Sequence, residues 1–135
     1  MQKYEHAFGK NDIRGIYNDD ITEELFYNIA TGYVKWITAK NGKSPRELKI
    51  SVCMDARLHS PALKDALING LIDNNVGHIE DLGLAPTPLG YYSEVAHNLD
   101  GAMIITASHN PKEYNGLKMT FNKQTLNEVQ IREVK

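Results

Sequence analysis

The sequence predicts an α/β layer domain built around a mainly parallel sheet. Strand-like and helix-like stretches alternate three times along the chain, and their connections are short. The hydrophobic fraction is 41% and the charged fraction is 24%, which is typical of a globular protein. With 135 residues, the chain fits a single domain, residues 1–135, and is long enough to bury a core.

The first third of the chain predicts a short strand followed by a long helix. Residues 1–19 are rich in turn formers around a strand or loop at 12–17. A helix is expected from about Ile21 to Ala39, and Asp20 with Glu23 has the spacing of a capping box. Its apolar residues recur at helical spacing: Leu25, Ile29, Tyr33, Trp36 and Ile37.

The middle third predicts two strand–helix pairs. Residues 48–54 are an apolar run typical of a buried strand, and Ser60-Pro61 supplies an N-cap and a first-turn proline. A weaker strand is expected at 78–82, followed by a rigid loop at 83–88. The apolar side of the first of these helices is formed by Leu63, Ala66, Leu67, Gly70 and Leu71. Thr87-Pro88 opens the other helix, which runs to about His97.

The last third predicts strands at 102–106 and 117–121 and a final helix. Thr125 and Glu128 have the spacing of a capping box for that helix. In parallel sheets, binding and catalytic groups gather at the carboxyl ends of the strands. Three loops therefore compete as candidate sites, and they span residues 55–61, 83–88 and 107–116.

Composition excludes several classes of partner. The net charge is −2, from 15 basic and 17 acidic residues that are evenly mixed, so no nucleic-acid partner is expected. No apolar run approaches the length of a membrane span, and the N-terminus does not resemble a signal peptide. Cys53 is the only cysteine, so no intrachain disulfide can form. We expect a cytoplasmic protein with no membrane partner.

Ser108 directly follows a buried strand, and the residues around it leave two interpretations. His109, Asn110 and Lys118 can all donate hydrogen bonds. The stretch is either a polar turn, since Asn-Pro and Asn-Gly are common turn formers, or a phosphate-binding loop at the sheet edge. Acyl transfer is a poor fit because no Gly-x-Ser-x-Gly elbow is present.

Two arginines and the histidines leave similar alternatives. Arg14 either clamps a phosphate or lies exposed, and Arg57 either pairs locally with Asp55 or holds the neighbouring loop. No zinc-ligand spacing and no glycine-rich phosphate fingerprint occurs. We expect every histidine except His109 to be a surface or packing residue: His6, His59, His78 and His97.

Four motifs, taken together and in order, resemble the α-D-phosphohexomutase family of phosphomannomutases, phosphoglucomutases and phosphoglucosamine mutases. Residues 106–111 with 114–118 resemble its phosphoserine loop, and residues 8–15 resemble its motif ending in Asp-Ile-Arg-Gly. Residues 55–61 resemble its Asp-x-Arg-x-Ser-Ser-Pro segment, and residues 83–88 its Gly-x-x-Pro-Thr-Pro loop. The resemblance implies a layered α/β/α domain with a mixed, mainly parallel sheet, like domain I of that family.

The resemblance also implies a reaction. Members interconvert hexose 1-phosphate and hexose 6-phosphate, of mannose or glucose, through a phosphoserine enzyme and a hexose 1,6-bisphosphate that also acts as activator. Ser108 would carry the phosphoryl group, with Lys118, Arg14 and His109 as further catalytic residues. Asn110, Arg14 and Lys118 would bind the phosphosugar substrate.

Family members have four domains, and this chain resembles the first. The remaining domains of a parent chain are therefore the expected partners, and the isolated domain is expected to be inactive. Mg²⁺ would be held by the phosphoserine at Ser108 and by an Asp-x-Asp-x-Asp-Arg loop that this sequence lacks. An alternative of a different class is a non-catalytic module that binds a phosphorylated ligand or partner.

Several residues depart from the family pattern and leave the sugar open. Asn11 and Met54 replace residues that usually precede two of the motifs, and His59 replaces a serine. Tyr114-Asn-Gly favours the glucose/mannose branch.

Overall fold

A computed structural model describes residues 7–9 and 12–134, and it confirms the α/β class. A short 3-10 turn, Pro45–Glu47, separates the first helix from the second strand. His6, Lys10 and Asn11 lie outside the described residues. In chain order the elements are β1 (Ile13–Ile16), α1 (Glu23–Asn41), β2 (Lys49–Met54), α2 (Ser60–Asp73), β3 (His78–Leu84), α3 (Thr87–Ala96), β4 (Gly101–Ile105), β5 (Tyr114–Phe121), β6 (Gln124–Thr125) and α4 (Glu128–Val134).

The sheet is mixed and mainly parallel, as expected. Its strand order is β1-β5-β4-β2-β3, and β6 pairs with β5. Strands β4, β2 and β3 are mutually parallel, whereas β5 is antiparallel to both β4 and β1. Since β1 then points the same way as β4, the strands β1 to β4 end at one edge of the sheet, and β5 begins there. That edge positions the candidate site.

Helices cover both faces of the sheet unequally. The larger apolar core contains residues of α1, α2 and α4 packed on one face, with Ile50, Met103 and Leu117 among the strand residues. The face beneath α3 has a smaller cluster of Cys53, Ala85 and Ile104. The alternation of strand side chains between the two faces explains this division.

Three predicted caps are wrong, because the polar side chains have other partners. Thr22, not Asp20, caps α1 by accepting from the N–H of Leu25 at 3.1 Å. The Asp20 carboxylate instead accepts from the N–H of Ile16 at 2.9 Å, which closes the turn after β1. Asn127 and Gln130 form the capping box of α4 through reciprocal 3.0 Å bonds, whereas Thr125 lies in β6.

The third correction concerns α2, where Ser60 is the first helical residue and His59 occupies the N-cap position. The Ser60 hydroxyl donates to Asp55 Oδ1 at 2.7 Å rather than capping the helix. The rigid loop predicted at 83–88 is also shorter than expected, since β3 continues to Leu84 and α3 begins at Thr87. The register between β2 and β3 shifts between Val52 and Cys53, and the pairing continues beyond it to Met54 and Leu84.

Cys53 is expected to be inert to thiol reagents while the protein is folded. The side chain is 1% exposed, and burial raises the pKa of its thiol to about 11. Because the thiolate is the reactive form, both access and ionisation oppose labelling. Mass spectrometry after iodoacetamide treatment near neutral pH should show no adduct in buffer and one adduct in urea. Rapid labelling of the native protein would contradict this burial.

Across residues 7–9 and 12–134, none of the helices has the length and apolar character needed to span a membrane.

Candidate active site

Residues 106–113, here called the serine loop, connect β4 to β5 at the edge where the parallel strands end. Ser108 in this loop has a left-handed backbone with φ of 55°, a conformation that is unfavourable for residues other than glycine. Its N–H donates to Thr106 Oγ1 at 3.0 Å. Its side chain is exposed, and its hydroxyl makes no hydrogen bond to any residue that the structure describes. The backbone therefore presents the Ser108 hydroxyl to solvent.

Arg57 holds the serine loop from the neighbouring loop after β2. Its Nη1 donates to the carbonyl of Pro111 at 2.8 Å, and its Nη2 donates to the carbonyls of Asn110 and Ser108 at 2.9 and 3.1 Å. Its Nε donates to Asp55 Oδ2 at 3.0 Å, and 13% of its side chain is exposed. Both interpretations of Arg57 are confirmed, since it pairs locally with Asp55 and also holds the serine loop.

The next two carbonyls of the loop are also bound. His59 Nε2 donates to the carbonyl of Lys112 at 3.2 Å, and the N–H of Tyr17 donates to the carbonyl of Glu113 at 2.8 Å. Together with the Arg57 bonds, four consecutive carbonyls from Asn110 to Glu113 are occupied. The loop is thus fixed through its backbone, and the side chains of Ser108 and His109 stay exposed.

A buried asparagine links this arrangement to the sheet. Asn115, at the start of β5, is 0% exposed. Its Nδ2 donates to Ser60 Oγ at 2.9 Å and to His59 Nδ1 at 2.7 Å, and its Oδ1 accepts from the N–H of Gly116 at 2.8 Å. The His59 ring stacks on Tyr17 with centroids 4.4 Å apart and planes 12° apart.

Arg14 and Asn110, two predicted site residues, are in direct contact. Arg14 Nη1 donates to Asn110 Oδ1 at 2.6 Å, and Nη2 pairs with Asp12 Oδ2 at 2.5 Å. The Nε of Arg14 is buried and has no partner within the described part of the chain. A charged donor of this kind is suited to an anion such as phosphate.

Lys118 lies on the same face of the sheet as Arg14. It pairs with Ile104 across the sheet, and Gly116, two residues earlier on β5, pairs with Arg14. Residues two apart on a strand share a face. Lys118 is partly buried, and neither it nor His109 has a hydrogen bond or ion pair within residues 7–9 and 12–134. Two cations thus share the face beneath α3, on strands adjoining the serine loop.

The described residues do not by themselves fit a magnesium ion. No group of three or more His, Cys, Asp or Glu side chains among them is arranged to hold a metal. Asp12 and Asp55 already bind arginines, and Glu113 of the serine loop has an exposed side chain. Ser108 remains a single predicted ligand.

A cleft of about 460 Å³ opens beside Arg57. Its volume falls in the range of small-molecule sites. Leu58, 98% exposed, lies at the cleft. The lining residues come from the loop after β2 and from the serine loop: Asp55, Ala56, Arg57, Leu58, His59 and Lys112.

A comparison with protein families identifies the chain. The model of the phosphoglucomutase/phosphomannomutase α/β/α domain I matches residues 5–134. The chain belongs to this phosphoglucomutase/phosphomannomutase family. The serine loop and the arginines around it are therefore the candidate active site of a mutase domain I.

Curated relatives of this mutase domain include proteins named for different sugars. A probable phosphoglucosamine mutase of Thermococcus gammatolerans is 38% identical over 112 residues, which cover 83% of this chain and 23% of that protein. A phosphomannomutase/phosphoglucomutase of Pseudomonas syringae is 40% identical over 126 residues, which cover 92% and 25%. The mutase domain thus spans about a quarter of the length of these relatives.

A solved structure agrees with the fold. A phosphoglucomutase/phosphomannomutase family protein from Burkholderia thailandensis superposes with a TM-score of 0.83 at 29% identity, over 95% of this chain and 28% of that one. This match confirms the layered mutase domain I architecture.

Sequence reasoning missed two residues of the site. His59, expected to be a surface or packing residue, does pack on Tyr17 but also binds the serine loop. Asn115 was predicted as a turn former and as part of the family motif, without its buried bonds to His59 and Ser60. The available signal was the departure of His59 from the family's serine within an otherwise matching motif.

Replacing Ser108 separates backbone strain from side-chain chemistry. Ser108→Ala keeps the left-handed backbone unfavourable, whereas Ser108→Gly removes the penalty of the Cβ atom. We expect the glycine variant to be about 1 kcal/mol more stable than the alanine variant in urea unfolding. Equal stabilities would contradict the left-handed conformation at this position.

Proposed function

We propose that this chain is the phosphoserine-bearing domain of a phosphohexomutase that interconverts hexose 1-phosphate and hexose 6-phosphate. The observation that best supports the proposal is the exposed hydroxyl of Ser108, which has no hydrogen bond to the described residues and is presented by a serine loop whose carbonyls are held by Arg57, His59 and Tyr17. A group that must give up and regain a phosphoryl requires a fixed backbone and a free oxygen.

In the proposed reaction, a hydroxyl oxygen of the sugar phosphate attacks the phosphorus of phosphoserine 108. The new P–O bond forms as the bond to Ser108 Oγ breaks, the sugar hydroxyl proton passes to a base, and the serine oxygen takes up a proton. The bound hexose 1,6-bisphosphate then returns its other phosphoryl group to Ser108 in the reverse sense. No net oxidation or reduction occurs.

Arg14 and Lys118 supply positive charge on the face of the sheet that α3 covers. A phosphoserine carries close to two negative charges, which these cations stabilise. We assign Lys118 as the group that exchanges the proton, since its amine has no competing partner among the described residues. Asn110, held by Arg14 at 2.6 Å, and His109 are assigned to phosphate and substrate binding.

Magnesium is part of the proposal through ligands outside this sequence. An oxygen of phosphoserine 108 would be one ligand, and carboxylates from another part of a longer protein would supply the rest. No step of the proposed reaction is derived through the ion.

We propose glucose or mannose phosphate as the substrate, because Tyr114-Asn-Gly resembles that branch. The name of the Pseudomonas syringae relative agrees with this assignment, whereas that of the Thermococcus gammatolerans relative indicates glucosamine phosphate. An assay that compares glucose 1-phosphate, mannose 1-phosphate and glucosamine 1-phosphate decides which of the three sugars is the substrate.

A coupled assay for hexose 6-phosphate tests the proposed function. The 135-residue chain alone should show no turnover, and a longer protein that joins it to the remaining three quarters of a mutase should convert the substrate when given hexose 1,6-bisphosphate. Turnover by the short chain alone would show that the other domains are not required. A folded longer protein that binds phosphosugar without converting it would favour the phospho-ligand-binding module.

A further inference from the structure

The imidazole of His59 is the titratable group that contacts the backbone of the serine loop. Its Nε2 binds the carbonyl of Lys112 at 3.2 Å, and its Nδ1 faces Asn115 Nδ2 at 2.7 Å. The ring is stacked on Tyr17 at 4.4 Å, so its plane is set by packing. Both ring nitrogens of His59 are thus hydrogen-bonded, one to the serine loop and the other to β5.

The direction of every hydrogen bond around His59 follows from one carboxylate. Asp55 Oδ1 can only accept, so Ser60 Oγ must donate to it across 2.7 Å. The Ser60 oxygen then accepts from Asn115 Nδ2 at 2.9 Å. This fixes which end of the Asn115 amide carries hydrogens, and the N–H of Gly116 at its Oδ1 agrees.

The same chain of bonds assigns the protonation of His59. Because Asn115 Nδ2 donates, His59 Nδ1 must accept, and so it carries no hydrogen. Because the carbonyl of Lys112 accepts, His59 Nε2 must carry the hydrogen. The arrangement therefore requires a neutral imidazole in the Nε2–H tautomer.

We propose that His59 is a positioning residue for the serine loop, and that only its neutral form holds the loop in place. In the imidazolium both ring nitrogens carry hydrogens, so no orientation of the ring offers Asn115 an acceptor. Asn115 cannot compensate by turning its amide, because its oxygen and nitrogen are both fixed by Gly116 and Ser60. Protonation therefore places an N–H of His59 against an N–H of Asn115. The ring must then move away from Asn115, and this movement loosens its bond to the Lys112 carbonyl.

The charged groups around the His59 ring do not change its need to be neutral in order to hold the serine loop. On its own loop, Asp55 and Arg57 pair with each other at 3.0 Å. Across the ring, the Tyr17 hydroxyl donates to Glu23, a bond that raises the pKa of the phenol and keeps it neutral. From the serine loop, Lys112 and Glu113 have exposed side chains of opposite charge.

Nitrogen-15 NMR of the 135-residue chain tests the proposal without requiring mutase activity. When its ring is neutral, His59 should give the Nε2–H pattern. On acidification, the side-chain amide of Asn115 and the backbone amide of Glu113 should shift with the same midpoint as the His59 ring. The catalytic consequence, an acid loss of phosphoryl transfer, rests on the proposed function, but these signals do not.

Two substitutions separate this effect from other titrations, including that of His109 in the same loop. In H59Q the side-chain amide can still donate to Lys112, so the Glu113 signal should stay near its neutral position while its response at the His59 midpoint is lost. In H59N the shorter side chain can accept from Asn115 but not reach Lys112, so the Glu113 signal should move at every pH. His78→Gln, on the edge strand β3, should leave the response unchanged.

Three results would overturn the proposal. They are an Nδ1–H tautomer for His59, an Asn115 side-chain amide signal that does not shift at the His59 midpoint, and a shift of the Glu113 signal at that midpoint that persists in H59Q. The wild-type measurement decides the first two even if a variant fails to fold.

Discussion

Arg57→Lys is expected to lower phosphoryl transfer through Ser108 about 100-fold in the full-length mutase that we propose. Arg57 binds three carbonyls of the serine loop and Asp55 with one planar group. A lysine ammonium is compact and cannot span these acceptors, although it keeps the charge. The loop should therefore lose its fixed position while the net charge of the protein stays the same.

The same substitution should be visible in the 135-residue chain. We expect a loss of about 2 kcal/mol in the free energy of unfolding, since hydrogen bonds to a charged group are replaced only in part. Amide hydrogen exchange should rise in the serine loop and remain unchanged in α1. Arg46→Lys, at an exposed arginine in the 3-10 turn, is the matched control. If both variants show the same loop exchange, Arg57 does not hold the loop.

Gly116→Ala is expected to destabilise the protein by about 2–3 kcal/mol. A Cβ atom at Gly116 would lie 2.3 Å from the carbonyl oxygen of Ile13 and 3.0 Å from that of Thr106. Both neighbours are backbone atoms, of Ile13 in β1 and of Thr106 at the start of the serine loop, so one of these segments must move. Because Arg14 lies opposite Gly116 on β1, the movement should also displace Arg14 from Asn110.

Gly42→Ala provides the comparison for this glycine. Gly42 ends α1 with φ of 72°, and a Cβ there would meet nothing within 4 Å. That substitution should cost about 1 kcal/mol through backbone conformation alone and should leave phosphate uptake by Ser108 unchanged. Urea unfolding measures both costs. A Gly116→Ala variant no less stable than Gly42→Ala would contradict the close strand packing.

Periodic patterns predicted the order of the strands and helices except for the two-residue strand β6. The apolar spacing of α1 matched its buried face, from Leu25 to Ile37, because burial imposes the helical period directly on the sequence. The cap residues were mispredicted because several polar side chains near each helix start compete for the same backbone groups. Asp20 and Thr22 illustrate this, since only geometry decides which of them reaches the helix.

The serine loop was predicted from the sequence, but one of the residues that hold it was not. The motifs located Ser108, and the alternatives for Arg57 included its true contacts. The role of His59 was missed because its partners Lys112 and Asn115 are 53 and 56 positions away along the chain. Contacts of that separation depend on the strand order β1-β5-β4-β2-β3, which no local pattern encodes.

The central claim is that Ser108 carries the phosphoryl group. The most direct measurement is the intact mass of a full-length mutase that contains this domain, after incubation with hexose 1,6-bisphosphate. We predict the gain of one phosphoryl group, mapped to Ser108, lost in Ser108→Ala and kept in Ser44→Ala, a change at the exposed serine that precedes the 3-10 turn. A folded protein that gains no phosphoryl group, or that gains it equally in Ser108→Ala, would contradict the account.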